Sequence, residues 1–383
     1  MQKFEFYNPV RILFGPGEFA RLGEQTARHG KRVLLVKSEG PLEDLGVYKK
    51  AEGFLKAAGL SVFELAGVNA NPRLSSVYEG IKICREKDID IVVAVGGGSA
   101  IDCAKAVAMG AANDGDVWDY FTHARTTDKS LPIGAVSTIA ATGSEMSVHC
   151  VITNEKKKQK YATHNEFHLP KFAIIDAELH ATVPRYLTAC GMCDTIAHTE
   201  NYFAGDQNTT LTNRIAEGAI LTVLQNEGIL SDLSNLDMRN NLAWAATVAI
   251  NGLTDLGRGA FEYGGHVIEH AISGFFNVIH GAGLAAVLPA WMYYRCERNP
   301  ERFIVFAERI FGIKKNGKSD YDTGKAAIDM LKAKFVSWGL PVSLKELNVP
   351  ESSFGDIADV VVNDPDSFIK DKALVFDVLN RCK

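Results

Sequence analysis

The sequence has no long apolar run and no amino-terminal targeting signal. Its longest mostly apolar stretch, residues 281–294, contains Pro289 and is shorter than the roughly 20 residues that span a bilayer. The opening residues, MQKFEFYNPVR, lack the apolar core of a secretion signal. These absences predict a soluble, cytoplasmic protein without a membrane partner.

Charge and cysteine content argue against two further classes. The 383 residues carry a formal net charge of −5 and no long basic run, so no nucleic-acid partner is expected. Seven scattered cysteines, an odd number, do not match a disulfide framework, and we expect reduced thiols. With 46% hydrophobic and 23% charged residues the chain is an ordinary globular one, long enough for two domains of roughly 150 residues each.

Two different patterns divide the chain near residue 183. In the first part, amphipathic stretches alternate with short β-rich runs at residues 11–14, 32–36, 61–65, 89–95, 133–137 and 172–175. This alternation predicts a mostly parallel sheet covered by helices. In the second part, apolar residues recur at helical spacing over residues 187–204, 211–226, 238–251, 259–272, 281–295, 302–310 and 325–338. The sequence therefore predicts an α/β domain over residues 1–183 and an all-helical domain over residues 184–383.

A run of glycines follows the most apolar strand. Gly96-Gly97-Gly98-Ser99 lies between that strand and a predicted helix over residues 100–109. Bare backbone amides at a helix amino terminus attract phosphate. The run does not match GxGxxG and follows a late strand, so it is not an ordinary Rossmann fingerprint. A glycine turn without a ligand is the alternative.

Four polar side chains form two pairs at helical spacing, and a further histidine lies close to them in the sequence. Asp194 and His198 are four residues apart, as are His266 and His270, and His280 follows. A spacing of four places both members of a pair on one helix face. One aspartate with three histidines suits Fe²⁺ or Zn²⁺ and leaves room for a substrate oxygen. A single histidine is more often structural, but the paired spacing of the whole set favours a catalytic metal site.

Four ordered motifs resemble the iron-containing, or group III, alcohol dehydrogenase family over nearly the whole chain: GGGSAIDCAK, TIAATGSE, GMCDTIAHTENY and GGHVIEHAISGFFNVIHG. The segments FYNPVRILFGPGEF, VITNEKKKQKYATH and HGAGLAAVLPAW resemble its butanol dehydrogenase and NADPH-dependent aldehyde reductase branch. The resemblance implies a dehydroquinate synthase-like fold, with a Rossmann-like dinucleotide-binding domain and a helical metal-binding domain. It also implies metal-assisted hydride transfer between NAD(P)H and small to medium aldehydes or primary alcohols, such as butanal and butanol.

The resemblance implies roles for individual residues. The metal ligands fall on Asp194, His198, His266 and His280, and His270 matches a histidine proposed to assist proton transfer. The implied cofactor-binding residues are Ser38, Asn71, Gly96, Gly97, Gly98, Ser99, Asp102, Thr138, Thr142, Ser147, Lys160 and Leu179. Many NAD-preferring members carry an aspartate where this chain has Ser38, which favours NADP(H), although Glu39 still offers a carboxylate to a ribose hydroxyl.

The sequence is also compatible with other functions. A polyol dehydrogenase for glycerol or a 1,2-diol shares the same architecture, as does an enzyme for phosphorylated substrates such as dehydroquinate synthase. No cluster of lysine or arginine accompanies residues 266–280, which disfavours a substrate phosphate. Intact cofactor loops and metal ligands disfavour a non-catalytic binding protein. In relatives of the family, an opening arm such as residues 3–12 pairs across a dimer, so a homodimer is expected.

Overall fold

The computed structural model describes residues 1–205 and 208–383. Its strands are β1 (Arg11–Phe14), β2 (Arg32–Ser38), β3 (Ser61–Val68), β4 (Ile91–Gly96), β5 (Ile133–Ser137), β6 (His149–Asn154), β7 (Gln159–His164) and β8 (Phe172–Ile175). One parallel sheet contains six of them in the order β1-β8-β5-β4-β2-β3. Strands β6 and β7 form a separate antiparallel hairpin.

Helices surround the sheet and make up the second half of the chain. They are α1 (Leu22–Thr26), α2 (Val47–Ala57), α3 (Leu74–Glu86), α4 (Gly98–Ala112), α5 (Trp118–Phe121), α6 (Ala177–His180), α7 (Arg185–Ala197), α8 (Thr210–Gln225), α9 (Leu236–Ile250), α10 (Gly264–Phe276), α11 (His280–Arg298), α12 (Pro300–Phe311), α13 (Asp320–Trp338), α14 (Phe354–Asn363) and α15 (Lys372–Arg381). Among the described residues, no helix has both the length and the apolarity needed to cross a membrane. The predicted fold class is confirmed, while the domain boundary at residue 183 stays a prediction.

The sheet is covered on both faces because its central strands are apolar at successive positions. All six residues of β4 are buried. In β2, Leu34 and Val36 pack with α3 and α4, whereas Val33 and Leu35 pack on the opposite face with α1 and α2. This alternation follows from the two-residue repeat of a strand. A doubly covered parallel sheet results, with the carboxyl ends of β2, β4 and β5 at one edge.

The helices begin and end elsewhere than apolar spacing predicts. The helix predicted over residues 187–204 ends at Ala197. The one predicted over residues 259–272 begins only at Gly264, after Gly259 has adopted a left-handed conformation with φ of 72°. Such a residue cannot continue a right-handed helix. The spacing thus identifies these helices and misplaces their ends.

The hairpin β6–β7 has no counterpart in the sequence-based prediction. It lies against α4, where Asp102 accepts a hydrogen bond from the Val151 amide at 3.0 Å. The fully buried Lys105 donates to the carbonyls of Ser147 and His149 at 2.9 and 2.7 Å. These bonds hold the hairpin beside the start of α4, and its second strand contacts α10 of the helical region.

Close packing of α7 against α11 fixes the spacing of two candidate site residues. A Cβ added at Gly281 would lie 2.2 Å from the carbonyl oxygen of Cys190. Only glycine permits this approach. Because Asp194 lies on α7 and His280 begins α11, the distance between the helices sets the relative position of these two side chains.

We predict that Gly281→Ala lowers the free energy of unfolding by about 1–3 kcal/mol, because the added methyl group forces the two helices apart. Gly218→Ala is the matched control, since it lies at an exposed position in α8 with open space for a Cβ. It should raise stability by roughly 0.5–1 kcal/mol. Urea unfolding followed by circular dichroism measures both changes. Equal stability of Gly281→Ala and the wild type would contradict the packing described.

Candidate active site

A cavity of about 210 Å³ lies between the carboxyl edge of the sheet and the helical region. The start of α4, the loop after β5 and the hairpin line one side. His198 and residues of α10 and α11 line the other. In open α/β sheets, ligands bind outside the carboxyl ends of the strands. This cavity is therefore the candidate active site.

Three imidazoles converge on one carboxylate oxygen of Asp194. Its Oδ1 lies 3.4 Å from Nε2 of His198, 3.6 Å from Nε2 of His280 and 3.8 Å from Nε2 of His266. Within the described residues, Asp194 Oδ1 and His266 Nε2 are buried without a hydrogen-bond partner. Burying unpaired polar atoms is costly, and a divalent cation is the partner that this donor set fits. We call these four side chains the ligand set.

Two glutamates that the sequence analysis missed orient the ligand set. Glu200 Oε1 lies 2.6 Å from Nδ1 of His266, and its carboxylate also accepts the backbone amide of Gly265 at 2.8 Å. Glu269 Oε2 pairs with Nδ1 of His280. Donation of Nδ1–H to a carboxylate leaves the Nε2 lone pair available to a metal. Only the fold distinguishes these buried glutamates from other acidic residues of the chain.

The electrostatics of the ligand set favour positive charge. Burial acts to raise the pKa of Asp194, but the surrounding imidazoles outweigh it and hold that pKa well below its ordinary value. Burial lowers the pKa of His198 to about 3, so its ring is neutral. Burial also acts to lower the pKa of His266, yet the carboxylates of Asp194 and Glu200 raise it to about 9. The two carboxylates thus favour a positive charge on His266, beside the neutral ring of His198.

His270 lies beside the ligand set without joining it. Its ring centroid is 5.2 Å from that of His280 and 6.3 Å from that of His266, and it lines the cavity. Burial and the charge of Lys160 hold the pKa of His270 well below its ordinary value. Glu269, His270 and His280 also lie close enough together to hold a cation. Because Glu269 already pairs with His280, we assign that glutamate an orienting role instead.

The glycine run leads from β4 into α4 at the opposite wall. Gly98 and Ser99 open α4 and line the cavity. Amides in the first turn of a helix lack intrahelical partners and suit a phosphate. A Cβ on Gly98 would lie 2.2 Å from Oγ1 of Thr142. Glycine is therefore needed at residue 98 because the two loops pack together there, whether or not a phosphate binds.

The structure places the predicted cofactor-binding residues in two groups. Those that line the cavity are Asn71, Gly98, Ser99, Asp102, Thr142, Ser147 and Lys160. Ser38, Gly96, Gly97 and Thr138 lie behind them at the strand ends. There the Thr138 amide donates to the Gly96 carbonyl at 3.1 Å, and Gly96 has room for no side chain beside Ser38. Leu179 packs in the apolar cluster that includes Val33 and Val93 and is not among the residues that line the cavity, so its role stays a prediction.

The fold brings to the cavity several residues that no sequence motif marks. His149, His164 and Asp366 line it. Asp366 Oδ1 lies 3.7 Å from Nδ1 of His164 and 3.2 Å from Nε2 of His123. The ring of Phe261 stacks on His149 with centroids 5.8 Å apart. These residues come from distant segments, so no sequence spacing signals their proximity.

Known proteins match the chain over almost its full length. The family profile described as iron-containing alcohol dehydrogenase matches residues 9–177, and that of the Fe-containing alcohol dehydrogenase family, C-terminal, matches residues 188–373. The chain is 40% identical over 366 residues to the probable NADH-dependent butanol dehydrogenase 2 of Bacillus subtilis, covering 95% of this chain and 94% of that protein. It is 32% identical over 358 residues to the NADPH-dependent aldehyde reductase YqhD of Escherichia coli, covering 92% and 91%.

A solved structure agrees equally well. The crystal structure of NADH-dependent butanol dehydrogenase A from Thermotoga maritima superposes with a TM-score of 0.95 at 37% identity, covering 100% of this chain and 99% of that one. Both halves of the chain match the family, and the expected resemblance is confirmed. The chain belongs to the iron-containing alcohol dehydrogenase family.

Proposed function

We propose that this protein is a metal-dependent alcohol dehydrogenase or aldehyde reductase that transfers hydride between NAD(P)H and small to medium aldehydes or primary alcohols, such as butanal and butanol. The observation that carries the proposal is the convergence of three imidazoles on Asp194 in a cavity that Gly98 and Ser99 also line. A candidate metal site and a candidate phosphate site thus share one cavity. Relatives named as a butanol dehydrogenase and an aldehyde reductase support the substrate class.

Different residues of the cavity would bind the metal, bind the cofactor and transfer the proton. The ligand set would hold Fe²⁺ or Zn²⁺, which when bound supplies Lewis acidity toward the substrate oxygen. The first amides of α4 would bind the cofactor pyrophosphate. His270, which lines the cavity beside the ligand set, would accept a proton from the alcohol during oxidation and return it during reduction. Its distance from the ligand set leaves it available for this proton.

The walls favour an apolar substrate chain. Phe261 and Tyr263 line the cavity, whereas Phe275 and Phe276 pack against the helical core. A cavity with apolar walls and a polar reacting end suits a linear aldehyde. A polyol dehydrogenase is the second candidate, because His164 and Asp366 place hydrogen-bonding groups in the same cavity.

For the cofactor we propose NAD(H), which departs from the expectation drawn from Ser38. The Ser38 hydroxyl lies 3.3 Å from the Tyr48 hydroxyl, and the exposed Glu39 follows directly after β2. Asn69 donates a hydrogen bond to the Glu39 carboxylate. An acidic group at this strand end accepts ribose hydroxyls and repels a 2′-phosphate. The neighbouring cation, Lys37, is already paired with Glu64 at 2.9 Å and so does not offer a free ammonium group to a 2′-phosphate.

We further propose that the protein acts as a homodimer in the cytoplasm. Strand β1 lies at an edge of the sheet, and the preceding Phe4, Phe6 and Tyr7 are exposed. An open strand edge next to exposed aromatic residues is a surface that a second copy would cover. The seven cysteines are free thiols, which suits a reducing compartment.

Metal dependence tests the proposed function directly. Protein stripped by chelation should not oxidise NADH with butanal, and anaerobic loading with Fe²⁺ or Zn²⁺ should restore turnover. His280→Ala should lose bound metal and activity together. His164→Ala, an imidazole of the same cavity outside the ligand set, should keep one metal equivalent. Turnover by metal-free protein would contradict the proposal, and a higher kcat/KM for glycerol or 1,2-propanediol than for butanol would favour the polyol alternative.

A separate outcome is expected for the proton-transfer residue. His270→Ala should lower kcat by about 100-fold, the size expected for loss of general acid–base catalysis. Its metal content should equal that of the wild type, because His270 is not in the ligand set. Steady-state kinetics and metal analysis on one preparation measure both quantities. Unchanged turnover with metal bound would remove His270 from the mechanism.

Cofactor preference depends on Glu39. The wild type should show a higher kcat/KM for NADH than for NADPH, and Glu39→Gln should raise the value for NADPH by about tenfold, which corresponds to 1.4 kcal/mol. Asp44→Asn removes the same charge from the exposed loop that follows and should leave the ratio unchanged. A wild-type preference for NADPH would instead support the expectation from Ser38.

A further inference from the structure

Lys160 crosses the cavity from the hairpin to the ligand set. It lies on β7, and its Nζ is 3.6 Å from Oε2 of Glu269 and 3.5 Å from Nδ1 of His280. These two partners belong to the helical region, on α10 and α11. The Lys160 side chain is 5% exposed and that of Glu269 is fully buried. The ammonium and the carboxylate therefore meet almost out of contact with bulk water, beside the partly exposed imidazole of His280.

A single carboxylate oxygen serves two donors in this group. Glu269 Oε2 pairs with Nδ1 of His280 and also faces the ammonium of Lys160. The ammonium competes for the oxygen that makes His280 a better metal ligand. It also places a positive charge close to where the ligand set would hold a dication. Because the group is buried, solvent and salt screen this repulsion only weakly.

The same ammonium faces the region in which the cofactor is expected. Lys160 lines the cavity together with Gly98 and Ser99. A dinucleotide bound there would bring a pyrophosphate with negative charge and ribose oxygens that accept hydrogen bonds. These groups would compete with Glu269 for the Lys160 ammonium. Lys160 can therefore interact with both ligands expected in the cavity: directly with the cofactor, and with the metal through Glu269 and His280.

We propose that Lys160 is a positioning residue that couples cofactor binding to metal binding, an inference that rests on the proposed function. A bound dinucleotide draws the ammonium away from Glu269, which then serves His280 alone, and metal affinity rises. Linkage requires the metal to raise cofactor affinity by the same factor. Neither effect needs a movement of the helices, because the change is confined to the partners of one side chain.

The coupling is tested by measuring Zn²⁺ affinity with and without cofactor. The metal-stripped protein is titrated with Zn²⁺ against a chromophoric chelator, in the absence and in the presence of saturating NADH and without aldehyde. For the wild type, NADH should lower the Zn²⁺ dissociation constant by about fivefold or more, the lower bound of usual site-to-site coupling. NADH fluorescence titration with and without Zn²⁺ should give the same factor.

Two variants separate the charge of Lys160 from its packing. Lys160→Met keeps the aliphatic stem and removes the charge, so it should bind Zn²⁺ more tightly than the wild type without NADH and show no further change when NADH is added. Lys157→Met removes a lysine from the exposed turn of the same hairpin and should behave as the wild type. Thermal melting confirms that each variant is folded.

Three results would overturn the account. An equal Zn²⁺ affinity with and without NADH in the wild type, when both ligands bind, would exclude the coupling. Weaker Zn²⁺ binding by Lys160→Met with the NADH effect intact would leave Lys160 a packing role only. A wild-type chain that binds no Zn²⁺ or no NADH would overturn the proposed function itself, so the two failures are distinguishable.

Discussion

The buried carboxylate of Asp194 is the constraint on which the site depends. Removing an ionised carboxylate from water is unfavourable unless compensating charge or hydrogen bonds are supplied. Here one of its oxygens faces three imidazole nitrogens and has no hydrogen-bond partner among the described residues. A divalent cation bound between these groups would satisfy all of them at once. The donor set therefore explains why the chain tolerates this burial.

The rest of the fold holds these groups in place. Glu200 and Glu269 fix two of the rings from behind. The contact at Gly281 keeps α7 and α11 close enough for their side chains to share one centre. The α/β region contributes the start of α4, polar side chains and Asp102 to the opposite wall, and its Lys160 extends to Glu269 behind the ligand set.

The sequence predicts much of this arrangement because the signals are local. Asp194 with His198, and His266 with His270, are each four residues apart on a helix, so their shared face follows from helix geometry alone. The glycine run follows a strand that is apolar throughout, which predicts both its burial and the helix that begins there.

The remaining features depend on tertiary contacts. Nothing in the sequence distinguishes Glu200 and Glu269 from exposed acidic residues, and only the fold shows that they are buried. The hairpin β6–β7 escapes prediction because bonds from Asp102 and Lys105 of α4 hold it in place, and it brings Lys160 to the cavity. Leu179, selected by resemblance alone, lies in the short helix α6 and packs in an apolar cluster, so its role in cofactor binding stays a prediction. Local patterns thus predict the ligands better than their supporting partners.

X-ray absorption on the protein loaded with one equivalent of Zn²⁺ tests the central claim most directly, because it reports the atoms around the ion independently of catalysis. The account predicts one ion per chain, bound by three histidine nitrogens at about 2.0–2.1 Å and by carboxylate oxygen at about 2.0–2.2 Å. Sulfur in the coordination shell, or fewer than three histidine ligands, would contradict it.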